Sequence, residues 1–327
     1  MNKTHPLTQA LCLIESILSE MDGLSKPRVR FMRWIFGAWL GLPVRHTMSN
    51  LARFGPYCDK SIRLHEERRF AFADFCQRLI VQSCERGSER GSERGSERGS
   101  ERERIAAFDP TFVSKAGRHT YGVDSWWCGT AQRVLRGLEL GVLGVIDVNA
   151  RSAFNLQSTQ TPPLQTLRSE SKNLMEHYVS LITEQAPRLL SLGVKIVTAD
   201  AYFAKKSFID PLSEKGFRVV TRLRQDANLR YLYHGPQKRT GRPKKYDGKV
   251  DCQHIDKRRL RLFAQDEKCC YCSGVVYAVA LKRCVRIVYI EQDKGKRYCI
   301  LMSSEVALAP QKIVEYYNSP VRFFESF

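Results

Sequence analysis

The sequence predicts an α/β protein: a mixed sheet with flanking helices, preceded by an all-helical domain and interrupted by a β-rich insertion. Three observations carry that prediction. Over residues 1–84 apolar side chains recur at helical spacing, as in Leu7, Ala10, Leu11, Ile14, Ile17, Leu18 and Met21. From residue 105 apolar runs of strand length alternate with longer periodic stretches, in the order three strands, helix, strand, helix, strand. Residues 224–307 change again, to a basic, turn-rich loop followed by three runs rich in β-branched and aromatic residues.

The bulk numbers bound what such a chain does. It has 327 residues, 43% of them apolar, enough for two or three folded domains. Lys and Arg number 53 against 34 Asp and Glu, a net charge of +19. An excess of that size calls for a polyanion, most often nucleic acid. No run reaches the roughly 18 apolar residues of a membrane span. The longest candidate, residues 34–44, is short and contains Pro43. The first six residues lack the apolar core and cleavage site of a signal peptide, so a cytoplasmic, nucleoid-associated protein with no membrane partner is expected. The 11 cysteines are odd in number and follow no framework, and in a reducing cytosol they read as small buried hydrophobes.

Each element has its own signal. In the helical domain, 1–84, Gly41-Leu-Pro43 breaks the first pattern, and residues 47–53, Gly55-Pro56 and 61–64 suggest two short helices around a turn, as in a helix-turn-helix. This domain carries 12 Lys and Arg against 7 Asp and Glu, a net +5. Two readings stand: recognition of DNA ends, or a helical bundle with a solvated basic face. Residues 85–104 hold Glu-Arg-Gly-Ser four times and then Glu-Arg-Glu-Arg, with no apolar residue, so a structureless linker is expected.

The next domain, 105–223, opens with the apolar run 105–109, which ends in Asp109. Residues 138–148 and 152–156 read as two more strands, 167–192 as one long helix, and 194–200 as a buried strand ending in Asp200. A helix over 204–215 closed by Gly216 and a strand over 217–222 complete the order. In the insertion, 224–307, the charge is concentrated: residues 222–261 hold 13 Lys and Arg against 4 Asp and Glu, a net +9. Residues 275–280, 285–290 and 297–302 read as antiparallel strands. In the last segment, 308–327, Pro310 begins a new helix.

Asp109 and Asp200 are the candidate catalytic and metal-binding residues. If their strands are neighbours, two carboxylates converge at one sheet edge, a poor arrangement for two anions and a good one for Mg²⁺ (or Mn²⁺). Paired ions there would activate an attacking water and stabilise the leaving oxygen of a phosphodiester. Such a site needs a third carboxylate, from the helix after the insertion. The bland reading of each Asp is a cap on a turn. Asp147 also ends a strand and reads as structural.

The motifs Ala107-Phe-Asp-Pro-Thr-Phe-Val-Ser-Lys-Ala-Gly117, Val197-Thr-Ala-Asp-Ala-Tyr-Phe203, Thr221-Arg-Leu-Arg-Gln-Asp-Ala-Asn-Leu229 and Ile313-Val-Glu-Tyr-Tyr-Asn-Ser319 resemble those of the DDE transposases of bacterial insertion sequences. The resemblance covers most of residues 30–319, with the repeat tract as an unmatched insertion. It implies a ribonuclease-H-like core that cuts and joins DNA strands with divalent metal. It also implies double-stranded DNA, transposon ends and target, as partner, and a homodimer on that DNA. Asp109 and Asp200 match the first two acids of the family, and Tyr202 its following aromatic. The third acid does not match. The family pattern, counted from Tyr317, places Arg at 320 and Glu at 324, where this chain has Pro320 and Phe324. Arg322 and Glu325 are off register, with Glu325 the only candidate third acid, so a truncated copy without a competent two-metal site is expected.

Further candidates surround this core. Lys115, Arg118, Lys238, Arg239, Arg242, Lys244 and Lys245 are expected to contact phosphates, as are Arg222 and Arg224, although Arg224 has Asp226 as an alternative partner. Cys252, His254, Cys269, Cys270 and Cys272 contain enough ligands for zinc, but without paired knuckles the spacing argues against it. Trp126-Trp127 suits stacking on an extruded base or burial. Tyr316 and Tyr317 lack the Arg-rich cradle of a tyrosine recombinase. The expected function is transposition. A DNA-binding remnant without catalysis, or a host nuclease of the same fold, are the alternatives.

Overall fold

Helix α1 (Pro6–Glu20) starts on a proline and sets the packing of the first unit, Met1–Gly99. Its predicted stripe is real: Ile14, Ile17, Leu18 and Met21 are buried against Phe31, Met32 and Ile35 of α2 (Lys26–Gly41). Two short helices follow, α3 (Met48–Arg53) and α4 (Asp59–Glu66). The Thr47 hydroxyl caps α3 by accepting the Asn50 N–H at 3.2 Å. Arg28 of α2 is buried and donates to the carbonyls of His65 (2.6 Å) and Arg68 (3.0 Å), tying α2 to the end of α4. Burial first, and Arg68 second, hold its guanidinium below the usual arginine range. One of this unit's positive charges is therefore structural.

The computed structural model describes residues 5–92, 103–117, 119–292 and 297–319 of the 327. Helix α5 (Phe72–Ser92) corrects the linker expectation in part: it continues through the first two Glu-Arg-Gly-Ser units instead of ending before them. Adding residues to an existing helix costs far less than nucleating one, so a polar tract that could not start a helix extends it. Residues 93–102 of the tract lie outside the described residues.

The second unit, Ser100–Phe327, is built on one sheet. In chain order it has β1 (Arg104–Ser114), β2 (Asp124–Cys128), β3 (Arg133–Asp147), β4 (Ser152–Gln160), α6 (Leu164–Ser169), α7 (Leu174–Glu184), α8 (Ala186–Ser191), β5 (Ile196–Ala199), α9 (Lys206–Glu214) and β6 (Arg218–Leu223). The insertion adds β7 (Leu229–Leu232), β8 (Tyr246–Lys249), β9 (Arg261–Gln265), β10 (Cys269–Ala278), β11 (Arg283–Gln292) and β12 (Arg297–Ser303), and α10 (Pro310–Asn318) follows. The strand order is β2-β3-β1-β5-β6-β12-β11-β10-β7-β8, with β4 also on β3 and β9 on β10. β1 runs antiparallel to β3 and parallel to β5, which is parallel to β6. A three-strand meander joined to two parallel strands through helical crossovers is the ribonuclease-H-like arrangement. The insertion extends the same sheet outward from β6 through antiparallel pairs.

Several boundaries differ from expectation. β1 does not stop at Asp109 but continues to Ser114 in register with β3. Pro110 is tolerated because it lies beyond the last β1–β5 pair, Ala107↔Thr198, where that edge needs no N–H donor. The single helix expected over 167–192 is three. Asn173 caps α7 in a reciprocal capping box with Glu176, both bonds at 2.9 Å, and Pro187 opens α8. Asp147 accepts the Ala150 N–H at 2.8 Å in the β3–β4 turn, the structural role expected of it.

One face of the sheet decides the site. Ile105, Ala107, Ile196, Val220 and Leu301 bury against Ile313 and Tyr316 of α10. Glu103 anchors that helix by accepting from Lys312 at 2.5 Å and from the Tyr316 hydroxyl.

Candidate active site

Alternation along the strands places the acids. Ile105 and Ala107 face α10, so Asp109, two residues on, faces the same side. The β1–β5 register ends at Ala107↔Thr198 and the β5–β6 register at Ala199↔Thr221. Continued by two residues and by one, these set Asp109, Asp200 and Arg222 side by side on neighbouring strands about 4.8 Å apart. Asp200 is the first residue past β5. Its Oδ1 accepts the Tyr202 N–H at 2.8 Å, and its carbonyl accepts the Thr221 hydroxyl at 2.6 Å. The bland reading of Asp200 as a turn cap is thus half true: one oxygen caps the 3₁₀ turn Ala201–Phe203, and the other stays available.

The electrostatics are those of crowded anions. The Asp109 carboxyl is pushed up to about 7, first by burial, then by the nearby Asp200 and Glu139 carboxylates. Asp200 opens to solvent but stands in dense protein surroundings, and desolvation raises it against the lowering effect of the Tyr202 and Phe203 N–H groups and Lys205. Lys205 places its ammonium 3.6 Å from the centre of the Tyr202 ring, at the rim of the acids. Tyr317 of α10 is pushed up to about 12 by burial and feels Cys299, Arg222 and Asp200. Helix α10 therefore delivers the chain to the acids just before residue 320.

Sequence reasoning missed Glu139. On β3 it pairs with Phe112 of β1 and so faces the side opposite Asp109, buried under α7. The Tyr178 hydroxyl donates to its Oε1 at 2.6 Å. Burial raises the Glu139 carboxyl, and that hydrogen bond partly offsets the rise. The available signal was a single carboxylate inside Leu138-Glu-Leu140, in a run otherwise apolar.

The basic candidates divide. Lys115 and Arg136 line an open recess of ≈ 400 Å³ with Ser114, Ala116 and Gly117. Arg222 is exposed beside Asp200. Arg224 pairs with Asp226 at 3.2 Å, the alternative noted for it. Lys244 is also committed, to Asp247 at 3.0 Å and over the Tyr233 ring. Lys238, Arg239, Arg242 and Lys245 are exposed and make no ion pair among the described residues. Arg118 and Glu325 lie outside the described residues.

Among the described residues no group of three or more His, Cys, Asp and Glu is arranged to hold a metal ion. Of the cysteine cluster, Cys252 donates to the Ala227 carbonyl at 3.5 Å, Cys270 and Cys272 lie with sulfurs 3.8 Å apart, and His254 sits against Asp251. Asp109 and Asp200 nevertheless fit a hard divalent cation. They are paired oxygen donors whose mutual repulsion a cation would relieve. Among the described residues no helix is long and apolar enough to cross a membrane.

The strand order and the acids at the C-terminal edge of β5 define a ribonuclease-H-like protein. Residues 95–265 match the family described as DDE superfamily endonuclease, just over half of the chain. The chain belongs to that family. The matched span includes Asp109 and Asp200 and ends before α10. Endonucleases of this kind generally act on DNA with divalent metals. No curated protein matches the chain significantly.

Proposed function

We propose that the chain is a transposase of the insertion-sequence type, which binds the ends of its element, cuts DNA strands there with Mg²⁺ (or Mn²⁺), and transfers the freed 3′ ends to target DNA. The observation that carries this reading is the row Asp109, Asp200, Arg222 at one sheet edge, on the face covered by α10. Asp109 and Asp200 would hold the cation, which when bound lowers the pKa of an attacking water and stabilises the leaving oxygen. The chain's own groups do the rest. The Tyr202 N–H and the Thr221 hydroxyl fix Asp200, leaving one carboxylate oxygen to the cation. Arg222 neutralises the phosphate whose bond is cut. Lys238, Arg239, Arg242 and Lys245 hold phosphates farther along the duplex, and Lys115 also holds a DNA phosphate. Glu325, shortly after Tyr317, is the third acid of this proposal. Residues 1–84 bind the element's ends, and two copies act together on the DNA of the nucleoid.

The C-terminal register favours a second reading, a chain that binds ends without cutting them: Pro320 and Phe324 stand where the family pattern has Arg and Glu. A plasmid carrying candidate inverted repeats separates the two. Footprinted ends nicked only with Mg²⁺, with nicking lost in Asp200→Ala and Glu325→Gln, establish the transposase. A footprint without nicking establishes the binding remnant, and the absence of both overturns the proposal.

A further inference from the structure

Neither the proposed cleavage nor the core accounts for Trp127. Trp126 and Trp127 are adjacent in β2, so they face opposite sides of the sheet. Trp126 is 3% exposed, whereas Trp127 and its cross-strand partner Val134 are each 58% exposed. A bare tryptophan beside a bare valine, on a strand of a chain with net charge +19, marks an interaction surface.

The registers show which surface. Along β3, Val142 pairs with Asp109 and Leu138 with Val113 on β1, while Arg136 pairs with Ser125 and Val134 with Trp127 on β2. Neither ladder has a bulge over these pairs. Paired residues share a face, and so does every second residue of a strand. Asp109, Val113, Arg136, Val134 and Trp127 therefore lie on one face, the face of α10. Burial agrees: on the opposite face Gly137, Glu139 and Leu143 are buried, while Val134 and Arg136 are exposed. From Val142 to Val134 the strand advances eight residues, about 27 Å, so Trp127 stands at the far end of an open strip that starts at the acids. Beside it lie Arg136 and Lys115 with their recess.

From this we infer that the β1–β2–β3 face is a track for an unpaired DNA strand leading away from the acids, with a base stacked on Trp127 and phosphates held by Arg136 and Lys115. The inference rests on DNA being the substrate. The chemistry selects a single strand over a duplex. A duplex presents charge and groove edges, which cations satisfy and an exposed indole does not. An unpaired base presents a free π-face, and aromatic rings interleaved with cations are how single strands are held.

The test is binding of a fluorescent single-stranded oligonucleotide, and of its duplex, to the full chain in EDTA, where no cleavage intervenes. Trp127→Ala is expected to weaken single-strand binding about tenfold, in the range of one lost base stack, and to change duplex binding less than twofold. Trp127→Phe should retain most of the affinity, and the melting temperature of both variants should match that of the parent. Equal losses on both DNAs, or none on the single strand, overturn the track. Conversion of a dimer to a monomer by Trp127→Ala overturns it in favour of a second copy of the chain as occupant. If the parent binds neither DNA, the transposase reading falls too, which distinguishes that failure from failure of the track alone.

Discussion

Replacing Asp109 by asparagine tests the crowding of anions without any assumption about catalysis. In the folded chain Asp109 keeps its proton up to about pH 7, against an ordinary 3.8. Between those values the folded state holds a proton that the unfolded state has released, so stability falls as pH rises. Each pH unit costs about 1.4 kcal/mol, or about 4 kcal/mol over the whole interval. Solvent reaching the half-buried carboxyl reduces that to about 2–4 kcal/mol. Asparagine has nearly the same shape and no charge, so Asp109→Asn should match the parent near pH 4 and exceed it progressively up to pH 8. For a unit of this size the gain is a rise in Tm of roughly 5–15 °C. Thermal melts in EDTA across that pH range measure it. Mg²⁺ should then close part of that gap. At ten times its Kd it stabilises the parent by about 1.4 kcal/mol and the variant by much less. A stability difference that stays constant from pH 4 to pH 8 would refute the electrostatic account of the site, and equal stabilisation of both proteins by Mg²⁺ would refute Asp109 as a ligand.

Two further outcomes follow from the same geometry. Tyr178→Phe strands the buried Glu139 carboxylate and should cost about 1–3 kcal/mol in urea melts, with Glu139→Gln on the same background recovering part of the loss; a neutral single variant would show that solvent already reaches Glu139. Arg239→Ala with Arg242→Ala should lower the salt slope of duplex binding by about 0.9 for each contact removed, while Arg224→Ala, tied to Asp226, should leave it nearly unchanged; equal slopes for all three proteins would remove the loop from the DNA interface.

What the sequence made legible followed from local physics. Asp109 and Asp200 stood out because each follows an apolar run, and a charge there demands a reason. Their adjacency was not legible, because it depends on which strands pair, and only the β1–β5–β6 registers supply that. Glu139 was hidden by the same alternation that helps elsewhere. One polar residue between leucines reads as solvent-facing unless the partner is known, and Tyr178 comes from 39 residues away. The division of α6, α7 and α8 was written in Asn173, Glu176 and Pro187, but the strong period around them obscured those caps. The repeat tract failed for the opposite reason: composition alone argued for a loose chain, and the helix reaching it from Phe72 carried its first two units along. Trp126 and Trp127 are adjacent in the sequence and look alike there. In a strand two neighbours cannot share an environment, so one was bound to be exposed.

The sheet also limits what the charged loop does. Lys238 to Lys245 lie between β7 and β8, and from β5 to β7 the path crosses β6, β12, β11 and β10. Five steps of about 4.8 Å put the loop about 24 Å from Asp200. At about 3.4 Å per base pair, that is about seven base pairs along a duplex. A cation so distant, beyond a Debye length at physiological salt, adds almost nothing to the field at the scissile phosphate. Its contribution is to affinity. Neutralising Arg239 and Arg242 should therefore raise the DNA concentration needed for half-maximal cleavage and leave the rate at saturation unchanged, whereas Arg222→Ala, one strand from Asp200, should lower the saturated rate. A fall in the saturated rate on neutralising the loop would mean that the chain bends its DNA back across the sheet and that the duplex does not run flat over it.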